Sequence, residues 1–163
     1  MARYDKMHLF DVDVPGSTES HRESAHTVAG HDARVVDTPI GKLGLAVCYD
    51  MRFPELFRVM SRQGADMFVV PSAFTVPTGK AHWESLLRAR AIENLAWAMA
   101  PAQGGTHENG RRTWGQSLVV DPWGTIAAQR ASGEGVVSCD IDIERVTSAR
   151  QQLPALGHRV ITA

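Results

Sequence analysis

Residues 43–56 read LGLAVCYDMRFPEL, an apolar run that climbs to Cys48 and breaks at once into charged residues and a proline. Strand alternation puts Leu43, Leu45 and Val47 on one side and Gly44, Ala46 and Cys48 on the other. A thiol at the C-terminal end of a strand, just before a helix, stands where α/β proteins place reactive groups. The helix expected to begin near Phe53 offers unpaired N–H groups and a partial positive charge. Both favour thiolate, the nucleophilic form. The small residues Gly44 and Ala46 are expected to leave room for a substrate beside the sulfur. The competing reading is an inert core cysteine, and the strand pattern alone does not separate the two.

A nucleophilic thiol needs a proton acceptor and donors for the oxyanion that forms when it attacks a carbonyl. No histidine lies close to Cys48 in sequence. Lys6 stands in a strand-like stretch, RYDKMHL (residues 3–9), beside Met7 and Leu9. It is either a solvated edge residue or a buried cation facing Cys48 across the sheet. Arg52 and Glu55 form a positioning pair or are solvated, and Glu84 in HWE borders the pocket or is a first-turn acid favoured by its helix dipole. His21, His26 and His31 recur every five residues, which is no metal spacing on a helix or strand, so neither metal nor cofactor is expected. Cys139 reads as buried and inert, and without a C-x-x-C pair a redox-thiol role has little support.

The elements that must position these groups follow from periodicity and turn signals. Residues 10–32 are polar and read as a long loop, 34–37 as a short strand, 38–41 as a turn and 43–48 as the next strand. Pro54 suits a first helical turn, Leu56, Val59 and Met60 supply an apolar stripe, and Gly64 ends that helix. A strand at 66–70, a loop at 72–80, a helix at 82–94 and a strand at 95–100 come next. A polar loop spans 102–113, and Asp121-Pro122-Trp123-Gly124 turns a hairpin between 116–120 and 125–129. A strand at 135–140, a helix at 143–151 and an extended tail from Leu153 complete the chain. Trp114 and Trp123 are expected in the core. Strands alternating with helices, then a hairpin, predict an α/β layered fold with helices covering a mixed sheet.

Apolar residues are 44% and charged residues 21% of 163, the balance of a soluble globular protein of one domain. Net charge is -1 with scattered arginines and lysines only at 6, 42 and 80, which argues against nucleic acid or an anionic membrane as partner. No apolar run is long enough to span a bilayer, and MARYDKMHLF lacks a signal-peptide core. The two cysteines read as free thiols in a reducing cytoplasm. The chain enters a patterned segment without a lead-in, so it is expected to be a single domain truncated at its N-terminus.

YDKMHLFDVDVPG, GKLGLAVCYDMRFPEL, PSAFTVPTGKAHWESLLRARAIEN and GQSLVVDPWG, in that order, resemble the nitrilase, or carbon–nitrogen hydrolase, superfamily from about Tyr4 to His158. SAFTVPTG, HWE and PAQGG resemble its Nit branch, whose members include deaminated glutathione amidases and omega-amidase relatives. The resemblance implies part of an α-β-β-α sandwich and hydrolysis of a small-molecule amide to an acid and ammonia through a cysteine thioester. It implies Cys48 as nucleophile, Lys6 as the lysine of a Glu-Lys-Cys triad and the Tyr49 N–H as a second oxyanion donor. A further glutamate orients the lysine. Glu23 matches best and Glu19 is its rival. Phe74 and Thr75, with Arg52 and Glu84, are expected to meet substrate.

The triad glutamate of the family precedes its lysine by more than the five residues available here, so the general base has no counterpart in this chain. Family members pair through helices, which implies a homodimer or higher homo-oligomer with the helix after Cys48 and the tail as contact surfaces and exposed apolar patches. N-carbamoyl amino acid or omega-amide hydrolysis is the alternative within the class. A catalytically inactive fragment or assembly module is the alternative outside it.

Overall fold

The computed structural model describes residues 2–161. Its elements in chain order are β1 (Asp11–Asp13), β2 (Ser20–Arg22), β3 (Arg34–Thr38), β4 (Gly41–Leu45), α1 (Pro54–Arg62), β5 (Met67–Val69), α2 (Val76–Asn94), β6 (Trp97–Ala100), β7 (Gly104–Thr106), β8 (Arg112–Trp114), β9 (Ser117–Val120), β10 (Ile126–Arg130) and α3 (Ile143–Gln152). A mixed sheet runs β10-β9-β6-β5-β4-β3. β4, β5 and β6 are parallel, and both flanks are antiparallel. The fold is α/β, as the alternation predicts.

Register decides the two faces of this sheet. Gly44, Phe68, Ala98 and Val120 lie side by side across four strands, and this row belongs to the main core with Leu56, Phe57 and Met60 of α1 and Trp83, Leu87 and Ala91 of α2. Full burial of each larger apolar side chain stabilises the fold by about 1.5–3 kcal/mol. Leu43, Met67 and Trp97 point the other way and meet Val146 and Ile143 of α3. The room left by Gly44 is therefore not for substrate. A Cβ there would lie 2.8 Å from the Phe68 ring and 2.9 Å from Met60 Sδ, so the glycine lets α1 and β5 close on each other.

Several elements differ from the sequence expectation. Residues 3–9 form no strand. The segment runs beside Gly30, whose N–H donates to Lys6 O at 2.9 Å and whose added Cβ would sit 2.1 Å from Asp5 O. The loop at 10–32 folds β1 and β2 into a small hairpin, and the loop at 102–113 holds β7 and the start of β8. α2 starts at Val76, six residues ahead of His82, because Pro77 falls in its first turn, where a missing N–H costs nothing. Gly79 inside that helix is required by Trp114, whose Cβ would be 2.3 Å from a side chain at 79.

Residues 135–140 pair with no strand, but Val137 and Cys139 still pack on the second core. α3 begins as expected, with the Asp142 carboxylate accepting from Glu144 N at 2.8 Å. The tail is turned rather than extended through 155–158, with Gly157 N donating to Pro154 O at 3.0 Å; residues 162–163 lie outside the described residues. Trp123 is 62% exposed at the hairpin turn, against the core expectation, because Asp121 holds that turn from below by accepting from Trp123 N and Thr125 N. Trp114 is partly buried against the main core.

Candidate active site

Cys48 stands where the sheet runs out. Ladder pairing continues past β4, with Ala46 N donating to Val69 O at 3.1 Å and Cys48 N to Pro71 O at 3.0 Å. The backbone then reverses: Cys48 has φ 49°, the left-handed region, at a cost of roughly 1–2 kcal/mol for a residue with a Cβ. A 3-10 turn starts at Cys48 itself and runs to Arg52, earlier than the helix expected near Phe53. The thiol is thus presented on the apex of a strand-to-helix turn.

Lys6 arrives from the irregular N-terminal segment. Its ammonium donates to Glu23 Oε2, and the same oxygen accepts from Phe10 N at 2.7 Å. The β1–β2 hairpin delivers Glu23 to this place, in a 3-10 turn directly after Arg22. Glu19, the rival, lies instead 3.4 Å from His21 Nε2. The Lys6 side chain is 12% exposed and that of Glu23 30%, so Lys6 is a partly buried, paired cation rather than a solvated edge charge.

Cys48, Lys6 and Glu23 line one cavity of about 850 Å³. Tyr49, Arg52, Phe74 and Thr75 also line it. Thr75 Oγ1 shares a 2.7 Å hydrogen bond with Thr78 Oγ1 at the start of α2. The Arg52 guanidinium lies 5.4 Å from the Phe74 ring centre and 5.9 Å from that of Tyr49. Burial lowers its pKa from the usual arginine range, and the proximity of Tyr49 and Cys48 opposes that shift. Its Nη1 is 3.3 Å from His82 Nδ1, while Glu55 is exposed, so the Arg52–Glu55 pair does not form.

Glu84 is not among the residues that line the cavity. Its Oε2 accepts from Gln116 Nε2 at 3.1 Å and its Oε1 is 3.7 Å from Arg88. The earlier start of α2 explains this. Glu84 falls in the third turn rather than the first and faces the β8–β9 connection.

Two residues were missed from sequence. Arg111 lines the cavity from the polar loop; its Nη2 donates to Ala73 O at 3.2 Å, and its buried Nε has no hydrogen-bond partner among the described residues. Nothing local marks it among the neighbouring polar residues. Asp50, fully buried, accepts from Tyr4 Oη at 2.7 Å and from Val47 N at 2.9 Å. Its place two residues after the thiol was the one available signal.

Cys139 is a free, partly buried thiol, as Cys48 is. Burial first and Asp140 second push the Cys139 thiol up, which leaves it less thiolate. Among the described residues no cluster of three histidine, cysteine or acidic side chains is arranged to hold a metal ion. No helix there is long and apolar enough to cross a membrane.

The site can be compared with known proteins. The family model described as carbon-nitrogen hydrolase matches residues 1–151. A deaminated glutathione amidase of Synechocystis sp. is 49% identical over 162 residues, which are 98% of this chain and 59% of that relative. The crystal structure of the Caenorhabditis elegans NitFhit protein superimposes with a TM-score of 0.90 at 47% identity, over 98% of this chain and 39% of that one. Saccharomyces cerevisiae Nit3, a member of branch 10 of the nitrilase superfamily, superimposes with a TM-score of 0.83 at 36% identity, over 96% of this chain and 54% of that one. The chain thus spans between 39% and 59% of the length of these proteins, and over that length it belongs to the carbon-nitrogen hydrolase family.

Proposed function

We propose that this chain carries the nucleophile and the oxyanion cation of a small-molecule amidase. The observation that supports this most is the shared cavity: the Cys48 thiol on its reversed backbone opens into the same space as the Lys6–Glu23 pair. The Cys48 sulfur adds to the amide carbonyl carbon, and the carbonyl oxygen takes up negative charge beside the Lys6 ammonium, with the Tyr49 N–H as second donor. Glu23 holds Lys6 in place by accepting from its ammonium. The C–N bond breaks, nitrogen leaves as ammonia carrying the proton that a general base takes from the thiol, and a thioester on Cys48 remains for water to cleave to the acid and the free thiol.

A general base is also needed, and such help supplies ~10²–10⁴-fold in rate. Among the described residues Glu23 is the sole carboxylate lining the cavity, and its Oε2 is committed to Lys6 and Phe10. This observation favours a second reading, in which this chain alone binds but does not turn over.

Arg52 and Arg111 bring positive charge to the cavity, and neither forms an ion pair with a carboxylate among the described residues. They suit an amide that carries a remote carboxylate, the class to which deaminated glutathione, omega-amides and N-carbamoyl amino acids belong, with the first preferred from the relatives. We place the protein in the cytoplasm, with both thiols free, as a homodimer or higher homo-oligomer; exposed Ile92 beside the Trp123 turn supports such association. Sedimentation of the chain as a monomer overturns the last point.

The test uses succinamate against butyramide, with ammonia release and peptide mass spectrometry as readouts. The expected result is an acyl adduct on Cys48, greater with succinamate and lost in Cys48→Ala. Adduct without continuing ammonia release selects the second reading. Equal acylation of Cys48 and Cys139 overturns the assignment of the nucleophile.

A further inference from the structure

Asp50 has no part in the chemistry above, yet it is a fully buried acid two residues from the nucleophile. Its Oδ1 accepts from His8 N at 3.0 Å and lies 2.8 Å from His8 Nδ1, which donates to it when the group is a carboxylate. Its Oδ2 accepts from Val47 N at 2.9 Å and from Tyr4 Oη at 2.7 Å. Val47 immediately precedes the thiol residue, and Tyr4 and His8 flank Lys6 by two residues on either side. One carboxylate therefore joins the nucleophile turn to both shoulders of the lysine. His8 adds to the joint by stacking on Phe53, with ring centres 3.7 Å apart.

The donor pattern explains why the residue is an aspartate. A hydroxyl or an imidazole can switch between donor and acceptor, but a backbone N–H cannot. Each oxygen of Asp50 faces one such N–H, Val47 on one side and His8 on the other. Asparagine has a single acceptor oxygen, so its NH₂ would confront one of them and that side of the joint would open.

We propose that Asp50 is a positioning residue that sets Lys6 at the Cys48 thiol by accepting from Val47 and Tyr4 on one oxygen and from His8 on the other. This rests on the reading that Cys48 and Lys6 act together. Charge and position act in opposite directions here. As a nearby negative charge Asp50 disfavours the thiolate, so a pure charge role means that Asp50→Asn lowers the pH at which Cys48 becomes reactive. A positioning role means that it raises that pH, because the lysine moves away.

The experiment measures iodoacetamide alkylation of Cys48 against pH in the full 163-residue chain, with Cys48 and Cys139 resolved by peptide mass spectrometry. Wild type, Lys6→Ala, Asp50→Asn and the double variant form a cycle. The expected result is an upward shift of about one pH unit in Asp50→Asn, like that in Lys6→Ala, with little further shift in the double variant. A downward shift, no shift, or full additivity overturns the proposal. An unshifted Lys6→Ala chain overturns the underlying pairing instead and removes the basis of the proposal with it. Should Asp50→Asn not fold, Tyr4→Phe deletes one of the four donors: an upward shift that vanishes in the Lys6→Ala background supports the proposal, and an unchanged profile overturns it.

Discussion

The two sides of the cavity are held by different means. On one side Cys48 ends a strand whose amides stay in the ladder as far as Pro71 O, above a core in which Gly44, Phe68 and Met60 leave no slack. On the other side Lys6 lies in a segment without secondary structure, secured by one backbone bond from Gly30 and otherwise by side chains: Glu23 on its ammonium, Asp50 on its neighbours. Ladder hydrogen bonds and close packing resist displacement together. Individual side-chain bonds contribute about 0.5–1.5 kcal/mol each, more where a charge is involved. The sheet side is thus expected to govern stability and the N-terminal side reactivity.

Lys6→Ala tests the N-terminal half of that contrast and carries the largest expected effect. Cys48 acylation by succinamate should slow by ~10-fold or more, because the oxyanion loses its cation, while the melting temperature moves less than in the sheet-side variant. Equal losses of stability and reactivity would erase the distinction. Gly44→Ala addresses the sheet side. Its methyl group meets the Phe68 ring and Met60 Sδ at under 3 Å, so a destabilisation of about 1–3 kcal/mol is expected by calorimetry, with Cys48 reactivity per folded molecule preserved.

Cys139 supplies an internal control for the thiol measurement. Its pKa is raised by burial and by Asp140, so at any pH below that value it holds less thiolate than an ordinary thiol. It should alkylate several-fold more slowly than free cysteine at neutral pH and approach it as pH rises through the raised value. Faster labelling of Cys139 than of Cys48 would break the comparison. Trp123→Ser marks the smallest effect: the ring is mostly exposed, so stability should change by no more than about 0.5 kcal/mol.

The legible parts of the fold were those written in short stretches. The hairpin around Asp121, the strand leading to Cys48, the Pro54 helix start and the helix at 143 all carry local signals, and each forms close to where those signals put it. Misreadings came where composition stood in for structure. SAFTVPTG reads as loop because of its proline, glycine and threonines, yet Pro77 sits in a first helical turn and Gly79 makes way for Trp114. Residues 10–32 read as loop because they are polar, yet two three-residue strands there bring up Glu23.

What the sequence determined by itself is the strand leading to Cys48, the helix starts at Pro54 and Ile143 and the hairpin around Asp121, since each depends on residues within a few positions of one another. The tertiary structure alone decided that Glu23 and not Glu19 meets Lys6, that Glu84 turns away from the cavity, and that Arg111 and Asp50 belong to its surroundings. Those contacts join side chains separated by 17 to 46 positions, and only the register of the sheet and the lie of the N-terminal segment bring them together.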